Sequence, residues 1–219
     1  MENTTKTRLF ASLALLLAGG SASANDWYVT GDLGFVTLGD QDLEFQDGAN
    51  APATQQSAKF SGSFTGGGRV GRYVGDNWRV EGEVIYRTSD LDAVTIDGLG
   101  TASGGDFASV SYGLSALYEF NLLGSDRYRT YVGAGLAFIQ EVDIDFDIDG
   151  AEISFETDDV APQLQAGIRY DAGERWFVDV GIRYLLGSDI TLERPDNSGQ
   201  TITSDYDPLS VSLGVGFRF

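Results

Sequence analysis

Hydrophobic residues alternate with small or charged residues along most of the chain. In the segment Leu209–Phe219, every second residue is apolar and the others are Ser, Gly or Arg. Period-two alternation predicts a β-strand, because successive side chains point to opposite faces. The same pattern predicts strands over Trp78–Tyr86, Ala108–Glu119, Val160–Tyr170 and Trp176–Leu186. Three less regular strands are predicted over Trp27–Leu38, Phe64–Val74 and Tyr128–Gln140.

The two faces of these strands differ in a way that suits a membrane. The polar face carries Gly, Ser and a set of charged residues: Asp32, Arg79, Glu81, Glu83, Glu119, Arg169, Asp179, Arg183 and Arg218. Small residues and opposite charges suit a narrow interior, and the Leu/Val/Ile/aromatic face suits lipid. Strands of about 10–13 residues also approach the ~9–11 residues that a tilted strand needs to cross a bilayer.

We therefore predict an all-β fold, an eight-stranded antiparallel up-and-down transmembrane β-barrel. The alternative places the apolar face inward, in a soluble sandwich or lipocalin-like barrel. The facing of Phe64–Val74 stays open, since either phase points Arg69 or Arg72 outward.

The connections alternate in length, as in outer-membrane barrels. Short turns are predicted near Val74–Asn77, Asn121–Arg127 and Asp171–Arg175, and long loops near 40–62, 88–107, 141–159 and 188–208. Four aromatic residues begin strands at the short-turn end: Trp27, Trp78, Tyr128 and Trp176. Amphipathic rings at one level predict half of an aromatic girdle at the membrane–water interface.

The N-terminus has the three parts of a secretory signal. Lys6 and Arg8 precede the apolar run Leu9–Ala18, and Ala22-Ser23-Ala24 forms a small-residue exit. The run is too short for a transmembrane helix, which needs ~20 residues. We predict a signal peptide over 1–24 and a barrel domain over 25–219.

These features resemble one known family. The mature start NDWYVTGDLGF, the stretch YVGAGLAF and the ending VSLGVGFRF are similar to small eight-stranded outer-membrane β-barrels, which include opacity-type porins and OmpA-like or OmpX-like barrels. The resemblance implies location in the outer membrane of a Gram-negative cell envelope. It also implies insertion by the barrel assembly machinery, with Phe219 as part of the recognition signal.

The charge of the chain is concentrated. The formal net charge is −19, which argues against a nucleic-acid partner because phosphates require Lys and Arg. The four long loops hold 22 acidic residues and two basic ones, Lys59 and Arg194. The remainder after residue 24 holds ten of each. The sequence thus predicts a charge-balanced barrel below a cation-attracting outer surface.

Catalytic groups are few. The chain has no Cys and no His, so thiol and imidazole mechanisms are excluded. Glu81 and Glu83 share the inward face and could form a carboxylate dyad. The alternative is an interior ion-pair plug with four arginines: Arg79, Arg169, Arg183 and Arg218. We favour the plug, since an eight-stranded barrel has room only for its own side chains, and we expect no catalytic residue and no cofactor.

The third long loop contains a calcium-loop pattern. Asp145, Asp147, Asp149 and Glu156, with Gly150 at the turn, match D-x-D-x-D-G-x5-E. The flanks alternate as strands, however, and Asp149-Gly150 is a favoured two-residue hairpin turn. We therefore predict a hairpin in which Ile148 faces Ala151 and Asp147 faces Glu152, rather than an EF-hand. Divalent binding by its acidic face stays open, because like charges facing each other across strands are destabilising.

The hairpin carries a further prediction about register. Even-numbered residues face outward up to Ile148, but the odd-numbered Ile153 and Phe155 continue that face on the return. Val160 begins an even outward phase again, so one residue must be absorbed. We predict a β-bulge or kink near Asp158-Asp159.

Together these observations predict a monomeric, non-enzymatic outer-membrane barrel with a structural or surface-interaction role. Its expected contacts are membrane lipid, lipopolysaccharide and divalent cations at the acidic loops. The alternative is a small cation-attracting channel or porin.

Overall fold

The computed structural model describes most of the chain after residue 26. The described residues are 27–37, 41–47, 54–58, 60–91, 94–96, 100–102, 106–148, 151–187, 189–193 and 199–219. They form the following strands: β1 (Trp27–Thr37), β2 (Gln41–Asp47), β3 (Thr54–Ala58), β4 (Phe60–Tyr73), β5 (Trp78–Leu91), β6 (Val94–Ile96), β7 (Gly100–Ala102), β8 (Asp106–Phe120), β9 (Tyr128–Ile148), β10 (Ala151–Asp171), β11 (Trp176–Leu185), β12 (Asp189–Glu193), β13 (Gln200–Asp205) and β14 (Leu209–Arg218). The predicted signal segment lies outside the described residues. Within the described ranges, no helix is long and apolar enough to cross a membrane.

Eight of the strands close into a ring. The order around the ring is β1, β4, β5, β8, β9, β10, β11 and β14, and each strand is antiparallel to its neighbours. The seam joins β1 to β14, from Tyr28 opposite Arg218 to Thr37 opposite Leu209. The predicted eight-stranded up-and-down barrel is therefore confirmed, and closure leaves no strand edge unpaired around the ring.

The outer end of the barrel carries additional strands that the sequence analysis did not predict. A sheet extends from β10 through β12, β13 and β2 to β3, and β6 pairs with β7 as a separate hairpin. β9 and β10 are 21 residues each and continue outward past the ring. The loops predicted near 40–62, 88–107 and 188–208 thus contain short strands, and the one near 141–159 is the end of a long hairpin.

The apolar face points out and the charged face points in. Leu33, Phe35 and Leu213 are 63%, 75% and 56% exposed, whereas Arg79 and Glu81 are 1% and 0% exposed. A soluble domain would show the reverse. The outside of the ring is a surface for hydrocarbon, so the soluble sandwich or lipocalin-like alternative is excluded.

The aromatic residues at the short-turn end form pairs between neighbouring strands. The ring centroids of Trp78 and Tyr118 are 5.1 Å apart, and those of Trp176 and Phe217 are 4.9 Å apart. Tyr128 and Tyr170 form a third pair at 5.0 Å. Because these rings lie at one level and face outward, they mark the membrane–water interface, as predicted.

The two arginines of β4 take opposite facings. Arg69 points inward and is 5% exposed, whereas Arg72 takes the opposite, outward phase beside its register partner Trp27 and is 9% exposed. The Arg72 guanidinium lies over the Trp27 ring, 5.5 Å from its centroid. This position is level with the aromatic pairs, where a guanidinium reaches the interface and an indole face provides a favourable contact.

The predicted hairpin and bulge are both present. Ile148 pairs with Ala151, Asp147 with Glu152 and Phe146 with Ile153, as the hairpin prediction requires. The register shifts between Thr157 and Asp159, at the predicted rung. The extra residue is on β9 rather than β10, because Ile139 and Glu141 pair with consecutive residues of β8 and leave Gln140 over. Val142 therefore pairs with the inward-facing Ser109, so the even-numbered positions of β9 beyond the bulge take the inner phase and not the predicted outer one.

Candidate functional site: the barrel interior and the outer strands

In the inner third of the barrel interior, nearest the short turns, Glu119 joins two arginines. This carboxylate accepts from Arg79 Nη1 at 2.8 Å and from Arg169 Nη2 at 2.9 Å. Arg169 and Arg218 also pair with Asp171 at the inner end. One carboxylate between two guanidinium groups gives charge-assisted hydrogen bonds on both of its oxygens.

The guanidinium groups of this region also stack on aromatic rings inside the barrel. Arg79 lies over the ring of Tyr131, 4.3 Å from its centroid, and Arg169 lies over Phe177 at 5.2 Å. The rings fit because glycines on neighbouring strands leave room. A Cβ at Gly216 would lie 2.0 Å from the Phe177 ring, and one at Gly71 would lie 2.1 Å from the Tyr28 ring. A ring face stabilises the guanidinium charge electrostatically, and among the described atoms Arg79 Nε, Arg79 Nη2 and Arg169 Nε have no hydrogen-bond partner.

Arg69 is the centre of the middle third. It bonds Asp32 through Nε at 2.8 Å and Nη2 at 2.6 Å, and Nη2 also lies 3.0 Å from Asp179. Its Nη1 is 3.4 Å from Glu81. Tyr131 donates to Asp179 at 2.9 Å, and Tyr28 donates to Glu81. Three carboxylates on three different strands therefore share one guanidinium.

The next layer outward joins opposite walls. Glu83 on β5 accepts from Arg183 Nη2 on β11 at 2.6 Å. These two strands are four positions apart in the eight-membered ring. Gln163 donates to the second oxygen of Glu83 and to Ser115 Oγ, each at 2.8 Å. The layer is a continuous hydrogen-bonded crossing of the interior.

The outermost layer is different in composition. Buried apolar side chains reach it from the walls: Val36, Ile139, Ala161 and Leu185. Tyr206, just before β14, is 2% exposed and its hydroxyl is 2.9 Å from Ser109 Oγ on β8, the strand opposite β14. Arg87 is 3% exposed and donates to Ser111 Oγ at 2.7 Å.

The predicted inward residues are found where the alternation put them. Arg218 is half-buried at the inner end. The other eight are buried: Asp32, Arg79, Glu81, Glu83, Glu119, Arg169, Asp179 and Arg183. Glu81 and Glu83 do not form a dyad, because each is held by its own arginine. The predicted ion-pair plug is confirmed. Arg87 lies beyond the predicted end of its strand and is not among the predicted inward residues, and the alternation alone does not decide the facing of Arg69.

The acidic outer strands bring like charges together in the backbone register. Asp143 of β9 pairs with Glu156 of β10, and Glu156 pairs with Glu193 of β12. One rung thus crosses three strands with an acidic residue on each. Such a rung is unfavourable unless the strands carry a counter-ion.

The calcium-loop residues are divided by this register. Asp145 and Asp147 lie on β9, Glu156 lies on β10, and Asp149 and Gly150 lie outside the described residues. The two flanks are strands rather than helices, so the pattern does not form an EF-hand, as the hairpin prediction required. Among the side chains that the structure describes, no group of three or more acidic residues is arranged to hold a metal ion.

Known proteins share this architecture. A family model described as "Outer membrane protein beta-barrel domain" matches residues 9–219. The outer membrane protein AlkL of Ectopseudomonas oleovorans is 32% identical over 123 residues, which are 52% of this chain and 50% of AlkL. The match therefore spans about half the length of that relative.

Solved structures extend the likeness to nearly the whole chain. The crystal structure of the outer membrane protein OprG from Pseudomonas aeruginosa has a TM-score of 0.66 at 17% identity, covering 91% of this chain and 98% of OprG. The solid-state NMR structure of AlkL in lipid bilayers has a TM-score of 0.56 at 24% identity, covering 92% of this chain and 94% of AlkL. At these identities the likeness establishes the fold.

Proposed function

The chain belongs to the outer membrane protein β-barrel family and resides in the cell outer membrane, and we propose that it is a non-conducting envelope protein that acts through its outer strands. The observation that carries this proposal is the filled interior. Layers centred on Glu119, Arg69 and Glu83 follow one another along the barrel axis. An eight-stranded barrel is just wide enough for its own side chains, so these bonds leave no continuous water path.

Planar-bilayer recording tests the non-conducting state. The protein is inserted into the bilayer, and insertion is verified separately by the heat-modifiable migration of the reconstituted protein. We expect no single-channel steps in either KCl or CaCl₂. Steady cation-selective steps from the inserted wild-type barrel would instead favour the alternative, a small cation-attracting channel.

The interior charges argue further against the channel. Arg87 and Arg183 lie at the outer end with Glu83 as the only described carboxylate beside them. A cation drawn by the acidic rim would next meet a region of net positive charge in low-dielectric surroundings, which repels it. The acidic rim is therefore better suited to hold cations than to pass them inward.

The outer sheet is the proposed interaction surface. Residues 151–159 of β10 together with β12, β13, β2 and β3 carry ten acidic residues and no basic one, and the rung through Asp143, Glu156 and Glu193 concentrates the charge. Divalent cations favour carboxylate oxygens, and such a cation can bridge an acidic surface to the phosphates of lipopolysaccharide. We propose this bridged contact, with surrounding lipopolysaccharide as the partner.

Two variants separate the shape of the hairpin from its charge. The first replaces residues 143–157 by a two-residue turn, and the second carries Asp143→Asn, Glu156→Gln and Glu193→Gln. Retention of lipopolysaccharide vesicles in Mg²⁺ should be lost in both. Loss in the deletion alone would assign the contact to the hairpin backbone and refute the cation bridge, and unchanged retention and envelope integrity in both would refute the surface role.

A direct test of cation binding needs no partner. The melting temperature and the protease sensitivity of the outer strands are compared in calcium and in chelator. Protection by calcium that is absent from the triple amide variant supports the bridge. Identical values in the two buffers would remove the cations from the proposal.

We also propose that the protein has no catalytic activity. The chain lacks His and Cys, and the interior carboxylates at Glu81, Glu83 and Glu119 are each held by arginine. Each of these carboxylates is engaged in ion pairs and hydrogen bonds within the interior and is not presented to a substrate. Hydrolysis of lipid A by the purified protein would contradict this part of the proposal.

A further inference from the structure

Arg87 differs from the other arginines of the barrel interior. Five of them form an ion pair with at least one carboxylate: Arg69, Arg79, Arg169, Arg183 and Arg218. Among the side chains that the structure describes, no carboxylate pairs with Arg87, although it is only 3% exposed. A buried guanidinium without a counter-charge is unfavourable and requires an explanation.

The neighbours of Arg87 are hydroxyl groups. Its register partners are Thr65 on β4 and Ser109 on β8, and its Nη1 donates to Ser111 Oγ at 2.7 Å. Its Nε has no hydrogen-bond partner in the described part of the chain. Tyr206 reaches the same place from the opposite wall, where its hydroxyl contacts Ser109 and also hydrogen-bonds the Arg87 side chain. Guanidinium N–H and hydroxyl O–H groups can all donate, so this cluster has donors to spare and no formal negative charge.

The charge balance of the outer layers also leaves one positive charge without a counter-charge. Arg87 and Arg183 face a single carboxylate, Glu83, which leaves one positive charge in excess. The hydroxyl groups beside Arg87 are neutral, so they leave that charge without a counter-charge. One negative charge on a small ligand would complete the layer.

We propose that the outer end of the barrel interior binds a small monovalent anion, a halide or a carboxylate, against the Arg87 guanidinium and beside the hydroxyls of Ser109 and Ser111. Tyr206 covers the site from the outside and limits the size of the ligand. Charge-assisted hydrogen bonds from Arg87 supply the affinity, and the covering ring excludes larger anions.

Anomalous diffraction with bromide tests the site without any substitution. Crystals of the protein purified from outer membranes are transferred into sodium bromide. We expect an anomalous peak within about 3.5 Å of the Arg87 guanidinium, at hydrogen-bond distance from Ser111 Oγ. Peaks confined to the outer surface of the protein would overturn the proposal.

Thermal unfolding gives an independent measurement in solution. At constant ionic strength, with the large anion gluconate as replacement, the wild-type midpoint should rise roughly 3–6 °C per tenfold increase in bromide above saturation. Arg87→Gln should lose this response, and Arg72→Gln, which removes an arginine from the outer face, should keep it. Equal responses in wild type and Arg87→Gln would overturn the proposal. Formate in place of bromide distinguishes the two ligand types: a response to both supports a general monovalent site, and a response to bromide alone supports a halide site.

Discussion

Replacing Arg69 with methionine should destabilise the barrel more than any single loss at its outer end. Methionine has a similar length and no charge, so the change mainly removes the guanidinium. Arg69 binds Asp32 through two nitrogens at 2.6 and 2.8 Å, Asp179 at 3.0 Å and Glu81 at 3.4 Å. All three carboxylates are 5% exposed or less.

The magnitude follows from what the change leaves behind. Breaking a buried ion pair by removing one partner typically costs about 3–5 kcal/mol. Glu81 keeps Arg79 as a partner, but Asp32 and Asp179 then face each other with no described arginine between them. We therefore expect a loss of at least about 4 kcal/mol, which is roughly a thousandfold in the unfolding equilibrium.

The assay is urea unfolding of the protein in phospholipid vesicles, followed by tryptophan fluorescence and by heat-modifiable migration. The deficit of Arg69→Met should shrink as the pH is lowered, because a protonated carboxyl without a partner costs far less than a buried carboxylate. If Arg69→Met does not fold at neutral pH, folding at low pH gives the same information.

A charge-compensated variant provides the control. The double variant Arg69→Met, Asp32→Asn removes one of the two carboxylates that lose their partner. It should recover a large part of the lost stability. A single variant within about 1 kcal/mol of wild type, with no dependence on pH, would refute the view that Arg69 neutralises the middle layer.

Three further predictions concern the strands themselves. Gly34→Val should abolish the folded species on unheated gels, because its Cβ would lie 2.1 Å from a backbone oxygen of β14, whereas Gly31→Ala, with nothing within 4 Å, should fold normally. Deletion of Gln140 should be tolerated, since that residue is the one left over at the bulge, and deletion of Leu136 should not, since it moves the residues between that position and the bulge to the other face. Leu213→Arg should cost roughly 2–4 kcal/mol in vesicle unfolding, because a charge then faces hydrocarbon near the bilayer midplane; a loss below ~1 kcal/mol would place that residue at the interface.

Much of the barrel was predictable because a strand wall has a strict period of two. Once one residue such as Glu81 is assigned inward, its neighbours along the strand follow. The outer hairpin was predictable for a related reason: Asp149-Gly150 fixes the register, and each pair from Ile148 and Ala151 onward then follows. The bulge was predictable because the alternation of the hairpin arms and the alternation from Val160 onward differ by one residue.

The rest depended on distances that no local pattern contains. The partners of Arg69 come from β1, β5 and β11, and their meeting depends on closure of the ring and on the stagger of its strands. The bulge was predicted near Asp158-Asp159 on the return strand but lies on β9, because an extra residue on either strand repairs the phase equally well. The outer strands β2 and β12 did carry a signal, the short alternations at Leu43 and Phe45 and at Ile190 and Leu192, but they are too brief to distinguish from a polar loop.

The bonds that cross the interior have a mechanical consequence. Eight strands fix the circumference of a barrel, but a closed sheet of given circumference can still be flattened by the lateral pressure of lipid chains. Glu83–Arg183 braces the wall from β5 to β11, and Ser109–Tyr206 braces it from β8 to β14. Two braces along different diameters hold the cross-section round, so the protein should present an unchanging outline to membranes of different lateral pressure.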